Sequence, residues 1–420
     1  MSHLGLICPE LSGHLNPMTT LGRELQSRGH RVTLIGRLDA RRKSESAGLG
    51  FAAIGVEDFP EGSMQATSRE LGKLNGLRAV QFTAELLKRS VATILREAPD
   101  VVAREKIDAL LVDQVSPGGG TVADRMGVPW IMVSNALALN PDPHLPPCVL
   151  PWDYTAGVVG RVRNAFGDAI LRWLARPVMS VINDHRRQHQ LAPLEGTFSL
   201  GSCVAQVAQQ PAFFEFPRRV PLKDLYYTGP WHHAGSHEEI PFPWEKLDGR
   251  PLIYASMGTL QNRQQFIFET IAAACAGLDA QLVISLGSRD QDAAGMAKSF
   301  VGNPIVVPIA PQLALLERAT LAITHAGLNT ALESLSYGVP MVAIPITNDQ
   351  PGVAARLAWL GAAEVVQPPK LTAPRLRAAV ERVLREPRYR ETAQRYRDEI
   401  KNADGLRRAA DLVEQTFRLT

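Results

Sequence analysis

The chain has 420 residues, a length that favours two domains over one continuous core. Hydrophobic residues make up 45% of it, charged residues 21%, and the net charge is only +3. This composition is typical of a globular protein, and the absence of a Lys/Arg-rich block or of interleaved basic and aromatic residues argues against a nucleic-acid partner. Four widely spaced cysteines predict neither a zinc site nor a disulfide framework.

The first residues are not typical of a targeting segment. "MSHLGLICPELSGH" lacks a basic start and is interrupted by Pro9, and no apolar run reaches the ~18 residues that span a bilayer. We therefore expect a cytoplasmic protein. A basic, amphipathic helix predicted over 156–190 adds the expectation of a transient contact with a membrane surface.

The first predicted elements are a strand, a helix and a second strand. "LGLIC" is a short apolar run, Met18, Leu21 and Leu25 follow at helical spacing, and Gly29 ends the helix before "RVTLIG". His14, in "GHLNP", therefore lies at the carboxyl end of the first strand, the edge at which parallel sheets bind ligands. The residues alone leave two roles open, a contact with a ligand or a bond to the helix backbone.

The second half of the chain opens in the same way. "LIYAS" is an apolar strand, a glycine turn and a helix follow, and "QLVISLG" is the next strand. Two such openings predict an α/β protein with two doubly wound domains built on parallel sheets. We expect an N-terminal domain over 1–230, a linker over 231–248, a C-terminal domain over 249–395, and final helices over 396–420 that return to the N-terminal domain.

The most informative run lies between residues 306 and 357. The strand "LAIT" leads into "HAGLNT", which turns at Gly327 and begins a helix. His325, Asn329 and Thr330 therefore gather at a helix amino terminus, where free N–H groups and the helix dipole favour an anion. A diphosphate fits such a place.

Three further polar residues follow in an order that suits a nucleotide-sugar. Glu333, one turn into the helix, offers a carboxylate that accepts from a diol such as ribose. Asp349 and Gln350 follow the strand "MVAIP" and suit the hydroxyls of a sugar. Each residue alone is weak evidence, because glycine turns and surface acids are common; their joint order predicts a nucleotide-sugar site.

This run resembles the carboxyl-terminal signature of the family 1 UDP-sugar glycosyltransferases, which have the GT-B fold of two facing Rossmann-like domains. "GHLNP" and "ASMGT" are similar to the same family, so the resemblance extends over the chain. Within it, "VDQVSPGGGTVADRMGVPWI" and "NALALNPDPHLPPCVLPWDY" most resemble bacterial zeaxanthin (carotenoid) glucosyltransferases. The signature matches are Pro311, Gln312, Leu316, His325, Gly327, Asn329, Thr330, Glu333, Gly338, Val339, Pro340, Pro345, Asp349 and Gln350.

The resemblance implies a UDP-sugar, most simply UDP-glucose, as co-substrate, with no cofactor. We expect no metal, because no Asp-x-Asp motif appears where a cation would bridge the phosphates. One departure matters: plant members carry a tryptophan that stacks on uracil, whereas this chain has Ile309, so the choice between UDP and TDP stays open. The implied donor-binding residues are Ser256, Thr259, Ile309, Gln312, His325, Gly327, Asn329, Thr330, Glu333, Asp349 and Gln350.

The resemblance also implies that His14 is the general base, and its chemistry agrees. A neutral imidazole titrates near pH ~6.5 and can take the proton of an attacking alcohol, provided that a carboxylate fixes its tautomer. Asp113, which ends the strand "DALLVDQ", is the implied partner; Asp108 precedes that strand and should lie at the opposite edge. The implied reaction is a single displacement with inversion at C1.

The implied acceptor is a hydrophobic small-molecule alcohol, with no obligate protein partner. A carotenoid such as zeaxanthin fits the subfamily likeness, and flavonoids, macrolides, sterols and other polyphenols or polyketides are the alternatives. We expect its pocket in the N-terminal half. The expected lining residues are Phe82, Asn135, Leu137, Trp152 and Phe166.

Three other classes of protein fit the sequence less well. A UDP-GlcNAc 2-epimerase would place acidic residues in the cleft instead of a His–Asp pair. A dehydrogenase would need G-x-G-x-x-G after the first strand, which "PELSGHLNP" does not supply. A non-catalytic nucleotide-sugar binder would lack His14 or Asp113, and both are present.

Overall fold

The structure is a computed structural model that describes residues 1–71, 76–196, 200–219, 222–231, 240–258 and 265–419. Within these ranges the chain forms two sheets in which every strand pair is parallel. The strands are β1 His3–Ile7, β2 Arg31–Gly36, β3 Gly50–Ala53, β4 Ala109–Asp113, β5 Trp130–Ser134, β6 Ala205–Ala208, β7 Leu225–Tyr227, β8 Leu252–Ser256, β9 Gln281–Ser285, β10 Ile305–Val307, β11 Ala319–Thr324, β12 Met341–Ala343 and β13 Ala363–Val365.

Helices connect these strands and cover both faces of each sheet. Such burial on both faces explains why the central strands are continuous apolar runs, with all five residues of β1 and of β8 buried. The helices are α1 Ser12–Ser27, α2 Arg41–Ser46, α3 Ser63–Leu71, α4 Gly76–Glu105, α5 Gly118–Met126, α6 Val158–Gln188, α7 Gln265–Cys275, α8 Ala293–Ser299, α9 Gln312–Leu316, α10 Leu328–Ser336, α11 Gln350–Leu360, α12 Ala373–Arg385, α13 Pro387–Ala403 and α14 Gly405–Phe417.

The strand order of each sheet reverses direction at one point. The first sheet runs β3-β2-β1-β4-β5-β6-β7 and the second runs β10-β9-β8-β11-β12-β13. The reversals fall between β1 and β4 and between β8 and β11, where diverging connections leave a crevice at the carboxyl ends of the strands. The predicted fold class, two doubly wound parallel sheets, is confirmed.

The last helix lies against the first sheet. Asp404, in a left-handed conformation with φ of 44°, separates α13 from α14. The Arg28 guanidinium at the end of α1 then contacts Asp411 at 2.6 Å and Glu414 at 2.7 Å, both on α14. Residues 232–239 of the expected linker lie outside the described residues.

The two sheets also meet through α11. The Gly352 N–H donates to the Cys148 carbonyl at 2.9 Å, and a Cβ at Gly352 would lie only 2.2 Å from that oxygen, so no side chain fits there. Beside it, the buried Arg356 guanidinium contacts the buried Glu215 carboxylate with Nε at 3.0 Å. Helix α11 of the second sheet is thus held against loops of the first.

Candidate active site

His14 and Asp113 meet at the reversal point of the first sheet. His14 lies in the first turn of α1, directly after β1, and Asp113 is the last residue of the neighbouring β4. Their side chains touch, with His14 Nδ1 2.9 Å from Asp113 Oδ2. Asp108 instead accepts from the His3 N–H at 2.7 Å, at the start of β1 and hence at the opposite edge.

The geometry fixes how the His14 ring carries its proton. Because an ionised carboxylate only accepts hydrogen bonds, Nδ1 of His14 must donate to Asp113, which leaves Nε2 as the basic nitrogen. Burial lowers the pKa of His14, but the charges of Asp113 and Asp349 and the bond to Asp113 outweigh it, so the pKa is raised overall. The site therefore increases the affinity of this imidazole for a proton.

Asp113 is itself held in place by two further donors. Its Oδ1 accepts from the Val115 N–H at 2.8 Å, and its Oδ2 accepts from the Asn135 amide at 2.6 Å. Asn135 is only 2% exposed. The Asn135 amide thus bonds to Asp113, and its expected role as a residue that lines the acceptor pocket stays a prediction.

His325 occupies the reversal point of the second sheet, after β11. A Cβ at Gly258 or at Gly327 would lie 2.6 Å or 2.5 Å from its Nε2, so both positions need glycine for the ring to fit. The turn is strained, since Ala326 has a φ of 63°. Burial lowers the pKa of His325 to about 4, so this imidazole is neutral near pH 7 and offers a hydrogen bond without a charge.

Glu333 lies one turn further along α10 and is preorganised by neighbours. Gln312 Nε2 donates to a Glu333 carboxylate oxygen and approaches Thr330 Oγ1 at 3.3 Å, while Tyr254 OH donates to Gln312 Oε1 at 3.1 Å. Burial raises the pKa of Glu333 to about 7. The carboxyl group is thus oriented but only partly ionised near neutral pH.

Asn329 joins the two sheets across the cleft. Its amide donates to the Gly13 carbonyl at 2.8 Å, and its side-chain oxygen accepts from Gln209 at 2.7 Å. Since Gly13 precedes His14, the amino terminus of α10 lies directly beside the His14–Asp113 pair. The cavity next to this contact is lined by Asn16, Pro17, Thr20, Lys43, Gln209, Pro230, Trp231, Asn329, Leu332 and Glu333.

Gln209 is a residue that sequence reasoning missed. It follows β6 at the carboxyl edge of the first sheet, and its amide also donates to the Asn135 carbonyl. The available signal was two consecutive glutamines, Gln209 and Gln210, directly after an apolar strand. Polar residues at that edge are candidates for ligand contacts in any parallel sheet.

Gln350 is the first residue of α11 and accepts hydrogen bonds from the loop before it, whereas Asp349, which precedes it, contacts Leu137. The Leu137 N–H approaches Asp349 Oδ2 at 3.3 Å, while Gln350 Oε1 accepts from the Ile346 N–H at 2.8 Å and the Thr347 N–H at 2.9 Å. Burial raises the pKa of Asp349. For a sugar, Gln350 therefore offers its NH₂ group, because its carbonyl is already used.

The other expected donor residues lie around the same turns. Ser256 ends β8 and is buried, and Ile309 is half-buried between β10 and α9. Thr259 lies outside the described residues.

The expected acceptor residues are divided between the cleft and the outer surface. Leu137 is fully buried beside Asp349, Trp152 is half-buried under α6, and Phe82 is half-buried on α4. Phe166 is 65% exposed on the outer face of α6. The expected role of Phe166 in the pocket stays a prediction; the helix is apolar on several sides, so its sequence did not reveal which side faces inward.

Among the residues described, no three His, Cys, Asp or Glu side chains come together as metal ligands. The Asp290-Gln291-Asp292 run follows β9, where Asp292 Oδ1 accepts from the Gly295 N–H at 2.9 Å and so caps α8. None of the described helices combines the length and the hydropathy that a bilayer crossing requires.

Comparison with known proteins shows which sequences and folds this chain is similar to. The family model for UDP-glucoronosyl and UDP-glucosyl transferase matches residues 196–402. The zeaxanthin glucosyltransferases of Pantoea ananas and Pseudescherichia vulneris are 31% and 30% identical, over 99% of this chain and 96% and 98% of their own lengths. The solved glycosyltransferase of kitacinnamycin superposes with a TM-score of 0.78 at 23% identity, covering 99% of both chains. Solved glycosyltransferases of this kind share the GT-B arrangement of two Rossmann-like domains seen here.

Proposed function

The chain belongs to the UDP-glucoronosyl and UDP-glucosyl transferase family, and from this premise we propose its substrates and the roles of its residues. It is a UDP-glycosyltransferase, which takes a UDP-sugar as donor and a small molecule as acceptor. We propose that the sugar is glucose and that the acceptor is a large apolar alcohol of the carotenoid type. The two zeaxanthin glucosyltransferases, similar over their whole lengths, support that choice.

The proposed mechanism is one displacement with inversion at C1. Nε2 of His14 takes the proton of the acceptor hydroxyl while its oxygen attacks C1 of the sugar, and UDP leaves from the opposite face. Asp113 holds the ring by its Nδ1–H and stabilises the imidazolium that forms. The proton passes from the alcohol to His14, and the bonding pair of the C1–O bond leaves with UDP.

The donor is proposed to bind along α10. The free N–H groups at its amino terminus, with the neutral His325 and the Thr330 hydroxyl, stabilise the charge that grows on the diphosphate. Glu333 accepts from the ribose hydroxyls, and Asp349 and Gln350 bind the hexose.

One observation carries this proposal: the Asn329 amide lies 2.8 Å from the carbonyl of Gly13, the residue before His14. A diphosphate at the amino terminus of α10 therefore brings its sugar next to a base that is already oriented. Reacting groups held at such short range gain much of their rate from proximity alone.

The test is product analysis with defined substrates. Purified enzyme is incubated with UDP-glucose or TDP-glucose and with zeaxanthin, a flavonoid, a macrolide or a sterol. We expect a zeaxanthin glucoside by mass and a β-linkage by NMR when the donor is the α-anomer. Retention at C1 would overturn the single displacement, and transfer to every acceptor except zeaxanthin would overturn the carotenoid assignment. Comparing the rates with TDP-glucose and UDP-glucose measures the preference between thymine and uracil in a site that has Ile309 where plant members have tryptophan.

A further inference from the structure

The outer face of α6 exposes an uninterrupted set of large apolar side chains. Val159 is 78% exposed, Trp173 is 61% exposed and Ile170 is 41% exposed. These residues, with Val162 and Phe166, recur every three or four positions and so form one stripe along the helix. A stripe of this size is unusual on a protein surface that faces only water.

The inner face of α6 fixes which side of the helix points outward. A Cβ at Gly160 would lie 1.9 Å from the Thr155 carbonyl oxygen, and one at Gly167 would lie 2.7 Å from the Trp152 ring. Between them the Asn164 amide donates to the Pro143 carbonyl at 3.2 Å. Because two glycines and a buried amide set the rotation of the helix, the apolar stripe cannot turn inward without breaking this packing.

Over residues 158–183 of α6 the exposed charges have one sign, and the exposed Asp184 follows near the carboxyl end of the helix. Arg161, Arg172 and Arg176 are exposed, and Arg163 is half-buried over the Trp152 ring at 5.0 Å. Between Val158 and Asn183 the only acidic residue is Asp168, which is 7% exposed and therefore faces the interior. On the adjoining loop the exposed Asp153 is the nearest acid in sequence.

An apolar stripe with arginines beside it matches an anionic lipid surface. Apolar and tryptophan side chains enter the boundary between headgroups and acyl chains, while arginines bind lipid phosphates. A second copy fits the charge less well, because a two-fold contact through the stripe would bring like-charged arginines together, and residues 158–183 offer no exposed acid to pair with them.

The loop that contains Cys148 and Trp152 connects α6 to the proposed site. Trp152, beneath Gly167, belongs to the same loop as Cys148, whose carbonyl accepts from Gly352 on α11. Asp349 at the start of α11 in turn faces His14 closely enough to raise its pKa. A surface bound to the outer face of α6 is therefore separated from the cleft by a single loop of the protein.

We propose that the outer face of α6 docks the enzyme on anionic lipid bilayers, from which it takes its apolar acceptor. The docking part is independent of catalysis, and the acceptor part rests on the proposed function. Docking raises the local concentration of an alcohol that is almost insoluble in water, without any change in the chemistry of the cleft.

The first experiment measures docking without any substrate. The full chain is floated with vesicles of phosphatidylcholine, with or without phosphatidylglycerol. We expect binding to the anionic vesicles that falls with salt, and about a tenfold lower bound fraction for the triple variant Val159→Ser, Ile170→Ser and Trp173→Ser. The matched control is Phe266→Ser, which removes a 51% exposed apolar side chain from α7 and should bind as the wild type does.

A second measurement separates docking from self-association and from catalysis. Light scattering should show the same oligomeric state for the wild type and the triple variant; a dimer that only the wild type forms would overturn the proposal in favour of a second copy. The triple variant should keep its transfer to a water-soluble alcohol and lose transfer to zeaxanthin embedded in anionic vesicles. Absence of vesicle binding at low salt, with transfer intact, would overturn docking alone, whereas absence of transfer to any acceptor would overturn the proposed function.

Discussion

The two sheets of this enzyme each place a histidine at the point where their strand order reverses, and the two histidines have opposite properties. His14 contacts Asp113 and has its pKa raised, while His325 is enclosed by two glycines and has its pKa lowered to about 4. Both rings are surrounded by protein, so burial alone does not explain the difference. The nearby carboxylates do: Asp113 and Asp349 raise the pKa of His14, whereas no carboxylate in the described part of the chain raises that of His325.

The two proposed roles, general base and diphosphate contact, require this difference in pKa. A base must gain a proton and stabilise the resulting charge, which the Asp113 carboxylate makes possible. The role proposed for His325, beside the diphosphate, needs a ring that stays neutral at a fixed place. The same residue type at similar turns thus acquires its role from partners distant in sequence.

The largest expected effect comes from removing the imidazole at the first of these turns. His14→Ala should lower kcat for transfer to an alcohol by about 10³-fold, because no other group is placed to take the proton. Titration calorimetry with UDP should give an affinity within about twofold of the wild type, since the diphosphate binds at the other sheet. Normal turnover with weakened UDP binding would contradict the division between the two histidines.

Asp113→Asn should have the next largest effect, about a 10²-fold loss in kcat/KM. The base acts when neutral, so wild-type activity should fall on the acid side at a pH above the ordinary ~6.5 of histidine. Without the carboxylate, burial dominates and lowers the pKa of His14, so the acidic limb should move to lower pH. A limb at the same pH in both proteins would show that Asp113 does not set the protonation of His14.

Glu333, which belongs to the second sheet's half of the site, provides a test with a smaller expected effect. Glu333→Ala should raise the KM for UDP-glucose about tenfold with little change in kcat, because its bonds to ribose are present before and during the reaction. In the wild type that KM should rise as the pH falls below about 7, where the carboxyl becomes protonated. Glu333→Gln, which keeps the shape, is the control and should remove this pH dependence; persistence of it would place the titrating group elsewhere.

The smallest expected effect is the response to chelation. Because helix N–H groups, His325 and Thr330 are proposed to hold the diphosphate, transfer should continue in EDTA at nearly the wild-type rate. The measurement is the initial rate before and after dialysis against EDTA. If EDTA abolished activity and added Mg²⁺ restored it, the proposal that protein groups alone hold the diphosphate at the second sheet would be contradicted.

The pairing of His14 with Asp113 could be predicted from sequence because it follows from topology. Asp113 ends β4, and His14 lies in the first turn of the helix that follows the adjacent parallel strand β1. The carboxyl ends of such strands meet at one edge. The positions of His325 and Glu333 followed in the same way, from a strand, a glycine turn and a helix. These predictions needed only local patterns and the order of elements.

Other features of the structure could not be predicted from the sequence near the residues involved. Glu215 and Arg356 are 141 positions apart, and nothing near either residue indicates the other. The bond from the Asn135 amide to Asp113 joins residues 22 positions apart, and the sequence near neither residue indicates the other. The outward direction of Phe166 depends on the rotation of α6, which Gly160 and Gly167 fix through close contacts with Thr155 and Trp152 in the loop before the helix.

The most direct test of the central claim varies how much an acceptor needs a base. Rates of glucosyl transfer are measured for wild type and His14→Ala with an aliphatic alcohol and with an acidic phenol above its own pKa, which is already ionised. If His14 removes the acceptor proton, the variant should lose about 10³-fold with the alcohol and far less with the phenolate. Equal losses with both acceptors, at unchanged UDP affinity, would mean that His14 contributes something other than proton removal.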